Sequence, residues 1–164
     1  MLEERNFKTL VLGVGNRIMS DEGIGVHLVE RLCDKFSLPE EIQVLDGGTL
    51  GLDLIYFLEG IENLLIVDAV QADLEPGEMI RLQDDAVPAF MSIKISPHQV
   101  GVPDMLFAAK LREIIPQRIV LWGVQPSLVE LGMDLSPLLE SKMDTLMTHV
   151  LDELLAFGHT ATRK

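Results

Sequence analysis

Lys8–Val14 reads KTLVLGV and runs straight into Gly15–Gly23, GNRIMSDEG, before apolar residues return at helical spacing as Ile24, Leu28, Val29 and Leu32. A short, nearly unbroken apolar run that ends in glycines has the pattern of a strand buried on both faces, since a strand with one wet face would alternate. Asp21 and Glu22 stand where carboxylates favour a helix N-terminus, so the expected unit is strand, loop and helix, the helix reaching about Phe36.

The rest of the chain repeats that alternation. Ile42–Leu45 (IQVL) reads as a second strand closed by Asp46-Gly47-Gly48-Thr49, and Leu50–Leu58 resumes a helical pattern. Asn63–Val70 (NLLIVDAV) is a third strand, apolar except for Asp68. Gly77–Leu82 (GEMIRL) alternates behind a Pro-Gly turn, as an antiparallel edge strand does. Ser92–Gly101 (SIKISPHQVG) is a polar connection leading to a helix from about Pro103 to Arg112. Arg118–Val124 (RIVLWGV) is the last strand, and Ser136 to about Phe157 a closing helix with Pro137 in its first turn. Buried strands alternating with helices predict a three-layer α/β/α sandwich around a twisted, mostly parallel sheet of about five strands, one an antiparallel edge. No repeat or linker divides the 164 residues, so one domain is expected over 1–164, with 1–7 and 158–164 frayed.

Composition narrows the function. With 26 acidic and 13 basic side chains the formal charge is −13, which repels phosphate backbones and anionic lipid, so neither nucleic acid nor membrane is an expected partner. The single cysteine, Cys33, excludes an internal disulfide and the common cysteine-rich zinc sites, and fits the cytoplasm. The opening MLEERNF lacks the apolar core of a signal peptide, and no apolar run approaches the ~20 residues that span a bilayer. Size points to a monomer.

Ligands of open parallel sheets sit beyond the carboxyl ends of the strands. Glu22 follows the first strand, Asp46 closes the second and Asp68 lies near the end of the third, so all three belong to one rim. A carboxylate in an otherwise buried strand is costly without a partner, a metal or water, although such residues also cap neighbouring loops. Glu22 would suit a helix dipole equally well. His98, in Ser96-Pro97-His98-Gln99, offers an imidazole in a loop ahead of a helix, whereas His27, His149 and His159 are expected to be structural or solvent-facing. If Glu22, Asp68 and His98 converge, two carboxylates and one imidazole suit nickel, zinc or a related divalent ion with open coordination positions.

Other chemistries fit less well. Cys33 falls inside the first helix with no activating base and is expected to be a core thiol; no G-x-S-x-G elbow and no H-E-x-x-H helix occurs. Gly13-Val14-Gly15 and Asp46 leave nucleotide binding as an alternative, against which Ile18 replaces the third glycine and Asp21-Glu22 would repel a pyrophosphate.

Four motifs in order carry a resemblance. Leu12-Gly13-Val14-Gly15-Asn16 with Asp21-Glu22-Gly23-Ile24-Gly25-Val26, then Asp46-Gly47-Gly48-Thr49, Ile66-Val67-Asp68-Ala69 and Lys94-Ile95-Ser96-Pro97-His98-Gln99 resemble the signatures of the hydrogenase maturation endopeptidases, from Thr9 to about Phe157. The resemblance implies an endopeptidase, aspartic-type or metal-dependent, that removes the C-terminal extension from a nickel–iron hydrogenase large-subunit precursor after metal insertion. It implies Glu22, Asp68 and His98 as metal ligands, and nickel supplied by the bound precursor, with zinc or cadmium able to occupy the site in vitro. Asp46 is a candidate general base, or else the residue that shapes the Gly47-Gly48 loop. A non-proteolytic, metal-sensing maturation chaperone using the same ligands is the alternative.

Overall fold

In a computed structural model, which describes residues 6–48, 51–93 and 101–164, the strands are β1 (Thr9–Val14), β2 (Phe36–Ser37), β3 (Ile42–Gly48), β4 (Asn63–Ala69), β5 (Met79–Gln83), β6 (Arg118–Val124) and β7 (Thr162–Arg163). The helices are α1 (Ile24–Lys35), α2 (Ala86–Ile93), α3 (Val102–Leu111) and α4 (Pro137–Ala156). The main sheet has the order β3-β1-β4-β6-β5, with every pairing parallel except that of β5 with β6. The expected layers, strand number and antiparallel edge are therefore those observed.

The unbroken apolar runs have a direct cause. Along β1, Val11 points into one core while Leu10 and Leu12 point into the other; β4 repeats this with Leu65 and Val67 against Leu64 and Ile66. Successive side chains alternate faces, so a strand covered on both sides must be apolar throughout. On one face Leu28, Val29 and Leu32 of α1 and Leu139, Met143, Leu146 and Val150 of α4 close the core. Met105 and Leu106 of α3, Val87 of α2 and the Leu54–Leu58 segment close the other. Each large side chain buried in these layers contributes roughly 1.5–3 kcal/mol.

Several expectations need correction. Gly51–Phe57 forms a 3-10 helix in place of a regular helix, entered through Gly51 at φ +59° and followed by Gly60 at φ +79°. Helix α2 begins in the stretch between the edge strand and the connection at Ser92, where the sequence reading places no element. Cys33 is exposed on α1 and is not a core thiol. The segment 158–164 is not frayed: β7 pairs antiparallel with β2, and the Lys164 amide donates to the Lys35 carbonyl. His159 is buried there, its Nε2 2.8 Å from Thr9 Oγ1. Two dipeptides that pair across most of the chain leave no periodic signal in a sequence. Residues 1–5, and with them most of the expected frayed start, lie outside the described residues.

Candidate active site

Glycines decide how closely the first helix approaches the sheet. A Cβ on Gly25 would sit 2.1 Å from the Val67 carbonyl oxygen, and one on Gly13 would sit 2.3 Å from the Gly25 carbonyl oxygen. Only glycines therefore let the start of α1 rest on the carboxyl ends of β1 and β4. Gly15, at φ +127°, turns the chain away from β1; a Cβ there would lie 1.9 Å from the Glu22 carbonyl oxygen and 3.4 Å from Asp68 Oδ1. The pattern Gly13, Gly15, Gly25 thus presses Glu22 against the strand that carries Asp68. This is also where β1 and β4 lie side by side while their connections run to opposite sides, to β3 and to β6, the arrangement that opens a crevice in an open sheet.

A cavity of about 160 Å³ occupies the crevice. Glu22, Asp68 and Asn16 supply its polar side chains; Val14, Leu54, Ala69 and Val102 form apolar wall, and glycines 15, 48, 51 and 101 line the rest. Glu22 sits in the 3-10 turn Ser20–Gly23 between β1 and α1, and Asp68 is the next-to-last residue of β4. Both are half-buried, and neither has a cationic partner among the described residues. Loss of solvent pushes the Asp68 carboxyl up to about 7, the Ala69 N–H opposes the shift, and the charge of Glu22 adds to it. Two adjacent carboxyl groups with no cation beside them are a donor set suited to a hard or borderline divalent ion.

The structure brings Glu22 and Asp68 together as the sequence predicts. His98 lies outside the described residues, and among the described residues no cluster of three histidine, cysteine or carboxylate side chains is placed to hold a metal. Asp46 is exposed at the same rim, where its Oδ1 accepts the Gly48 N–H at 2.9 Å and holds the positive-φ turn at Gly48. It does not line the cavity.

Asp21 proved more than a helix-dipole carboxylate. It is fully buried, and its two oxygens accept the Ser127, Leu128 and Ser136 amides at 2.7–2.9 Å and the Ser136 hydroxyl at 2.8 Å. Ser136 is also the N-cap of α4, its Oγ accepting the Leu139 N–H. One carboxylate therefore locks the loop that precedes Glu22 to the loop after β6 and to the start of α4. Its partners stand more than 100 positions away, at separations of 106, 107 and 115, so only the pairing of two neighbouring acids with opposite fates hints at it in sequence.

A family model described as hydrogenase maturation protease matches residues 26–153. This chain belongs to the hydrogenase maturation protease family. The protease is 39% identical over 152 residues to the hydrogenase 2 maturation protease of Escherichia coli K12, an alignment spanning 92% of this chain and 93% of that one. It is 41% identical over 158 residues to the hydrogenase expression/formation protein HupD of Rhodobacter capsulatus, covering 95% of this chain and 75% of the relative. Among solved structures, the hydrogenase maturating endopeptidase HybD from E. coli superposes with a TM-score of 0.92 at 38% identity, covering 96% and 98% of the two chains. The nickel–iron hydrogenase maturation protease HybD of Thermococcus kodakarensis superposes with a TM-score of 0.71 at 26% identity, covering 88% and 97%. The protease is accordingly a hydrolase of peptide bonds in hydrogenase maturation, with its crevice where sheet topology requires one.

Proposed function

We propose that this protease removes the C-terminal extension of a nickel–iron hydrogenase large-subunit precursor, and that it recognises nickel already held by that precursor through Glu22, Asp68 and His98. The observation that carries the reading is the pair Glu22 and Asp68, lining one crevice with no lysine or arginine paired to either among the described residues. His98 is three residues from Gly101, which lines the same cavity. The metal would supply Lewis-acid polarisation of the scissile carbonyl or a water of lowered pKa. The chain's own residues do the rest: the two carboxylates fix the substrate's metal, and the apolar wall at Val14, Leu54 and Val102 removes water from around the bond to be cut. The single unpaired cysteine fits a cytoplasmic site of action.

A second reading has its own support. Asp68, held protonated up to about 7 beside Glu22, has the character of a carboxyl pair that shares a proton and activates water without a metal. Incubating purified precursor, loaded with nickel or stripped of it, and weighing the products by mass spectrometry separates the readings. Trimming of the loaded form alone supports metal recognition. Equal trimming of both forms favours the carboxyl pair, and an untouched loaded precursor with intact binding would leave a chaperone.

A further inference from the structure

Hydrolysis of a peptide bond builds negative charge on the carbonyl oxygen, and the two acidic side chains of the crevice oppose that charge wherever they are ionised. A hydrogen-bond donor aimed into the crevice is the usual remedy. Among the described residues that line the cavity, Asn16 is the one side chain that carries N–H donors; the others are Glu22, Asp68, glycines and aliphatic residues. Resting on the proteolytic reading above, we propose that the Asn16 side-chain amide donates from Nδ2 to the carbonyl oxygen of the bond being cut and to the oxyanion formed there.

Local chemistry fixes which way this amide faces. Asn16 Oδ1 accepts the Ile18 backbone N–H at 3.2 Å. Rotating the amide by half a turn would set Nδ2 against that N–H, donor against donor, so the nitrogen is held on the side away from Ile18. The backbone around it is equally constrained. Gly15, at φ +127°, delivers Asn16 from the end of β1, and the Asn16 carbonyl accepts the Met19 amide, whose own carbonyl accepts the Glu22 amide. The turn that positions Glu22 therefore positions Asn16 as well. Nδ2 has no partner among the described residues, which leaves both of its protons for a ligand.

In the reaction the oxygen of a water molecule bonds to the carbonyl carbon and the C=O electron pair moves onto oxygen, where Nδ2–H meets it. The pair then returns, the C–N bond breaks, and the departing nitrogen takes a proton that came from the water. The products are a carboxylic acid and an amine, and Asn16 keeps its protons throughout. A donor that acts on the developing oxyanion lowers the barrier more than it tightens substrate binding, so its removal lowers kcat and leaves KM nearly unchanged.

Two substitutions separate a donor from a mere turn residue. Asn16→Asp keeps the shape and the acceptor for the Ile18 N–H but replaces the donor by an oxygen; Asn16→Ala removes the donor without adding charge. Trimming of metal-loaded precursor should lose about 10²-fold or more in kcat in both variants, with KM within roughly threefold of wild type. Near-normal kcat in Asn16→Ala, with loss confined to Asn16→Asp, would reduce the effect to added charge and overturn the proposal. The wild-type side-chain amide pair of Asn16, identified in ¹⁵N NMR spectra by its absence from Asn16→Ala, should shift when precursor binds. If wild-type protein binds precursor without cutting it, the proteolytic reading fails while that resonance still judges the donor: a shift retains it, and a resonance that stays in place overturns it.

Discussion

The two ends of the sheet handle polar groups in opposite ways. At the amino ends of the strands, Thr9, Asn63 and Arg118 stand in register on β1, β4 and β6 and bond in a row. Arg118 Nε donates to Asn63 Oδ1 at 2.9 Å, Asn63 Nδ2 donates to Thr9 Oγ1 at 3.0 Å, and His159 completes the row, with Arg118 stacked over Phe157. Each of these side chains has a partner in the row. At the carboxyl ends Glu22 and Asp68 face each other's charge across a cavity, and Asn16 offers unspent donors. A polar group that is buried and fully bonded specifies the fold, whereas half-buried groups with bonding capacity to spare on a cavity wall stay available to something that arrives later. The difference between the rims locates function without reference to any relative.

The strongest way to break the comparison is to disarm the carboxyl rim. Glu22→Gln and Asp68→Asn should each lower trimming of loaded precursor by at least ~10³-fold, about 4 kcal/mol of barrier, and leave the fold intact. Circular dichroism and the product assay together check this; a variant that stays active would remove its residue from the site.

Next in size is a carboxylate on the same rim that behaves like the opposite one. Asp21 is fully satisfied by three amides and a hydroxyl. Asp21→Ala should cost about 3–5 kcal/mol, since it strands four donors, the two of Ser136 buried, and frees the start of α4. Denaturant unfolding reads this directly. A loss below about 1 kcal/mol would mean that the loop after β6 is held by other contacts.

The carboxyl rim should also respond to pH. Burial raises the Asp68 carboxyl in the folded protein to about 7, from an ordinary value of 3.8. Such an acid binds its proton more tightly when folded, so the metal-free protein loses stability as pH rises from about 4 to 7 and changes little from this source above 7. With allowance for partial solvent access, Asp68→Asn should be more stable than wild type by on the order of 1–2 kcal/mol at pH 8 and nearly equal to it at pH 4. A difference between the two proteins that does not change with pH would refute the burial argument. At the amino rim the substitution costs stability instead: His159→Ala should lose about 1–3 kcal/mol of stability and no activity, because it leaves Thr9 short of a partner far from the chemistry.

Legibility in the sequence followed the same division. The strands were readable because burial on both faces forces continuous apolar runs, and Asp68 was visible as the one charge inside such a run. Glu22 was visible by its position after the first strand. What could not be read was everything built from distant partners. Asp21 looked like a helix-dipole residue until Ser127, Leu128 and Ser136 came into contact with it. The 158–164 segment looked frayed because its two short strand partners share no pattern, and which of the two expected roles His159 takes, structural or solvent-facing, is decided by Thr9, 150 positions away. Cys33 was misplaced by half a helical turn's worth of judgement: α1 buries Leu32 and exposes its neighbour.

The smallest expected effect concerns Asp46, which shares the carboxyl rim yet has the character of the amino rim. Its Oδ1 is already engaged by the Gly48 N–H at 2.9 Å, its side chain is exposed, and it is absent from the cavity wall that Gly48 helps to form. A general base must reach the proton it abstracts, directly or through one water, and must have its lone pairs free. Asp46→Asn keeps an oxygen that accepts the same N–H, so the Gly47-Gly48 turn survives and trimming should stay within about twofold of wild type. Asp46→Ala removes the acceptor, loosens a turn that needs positive φ at Gly48, and should lower activity roughly tenfold through the altered cavity wall, mainly in KM. If Asp46→Asn instead falls as far as Asp46→Ala, and in kcat, then Asp46 handles a proton and the satisfied look of its hydrogen bond belongs only to the protein without substrate.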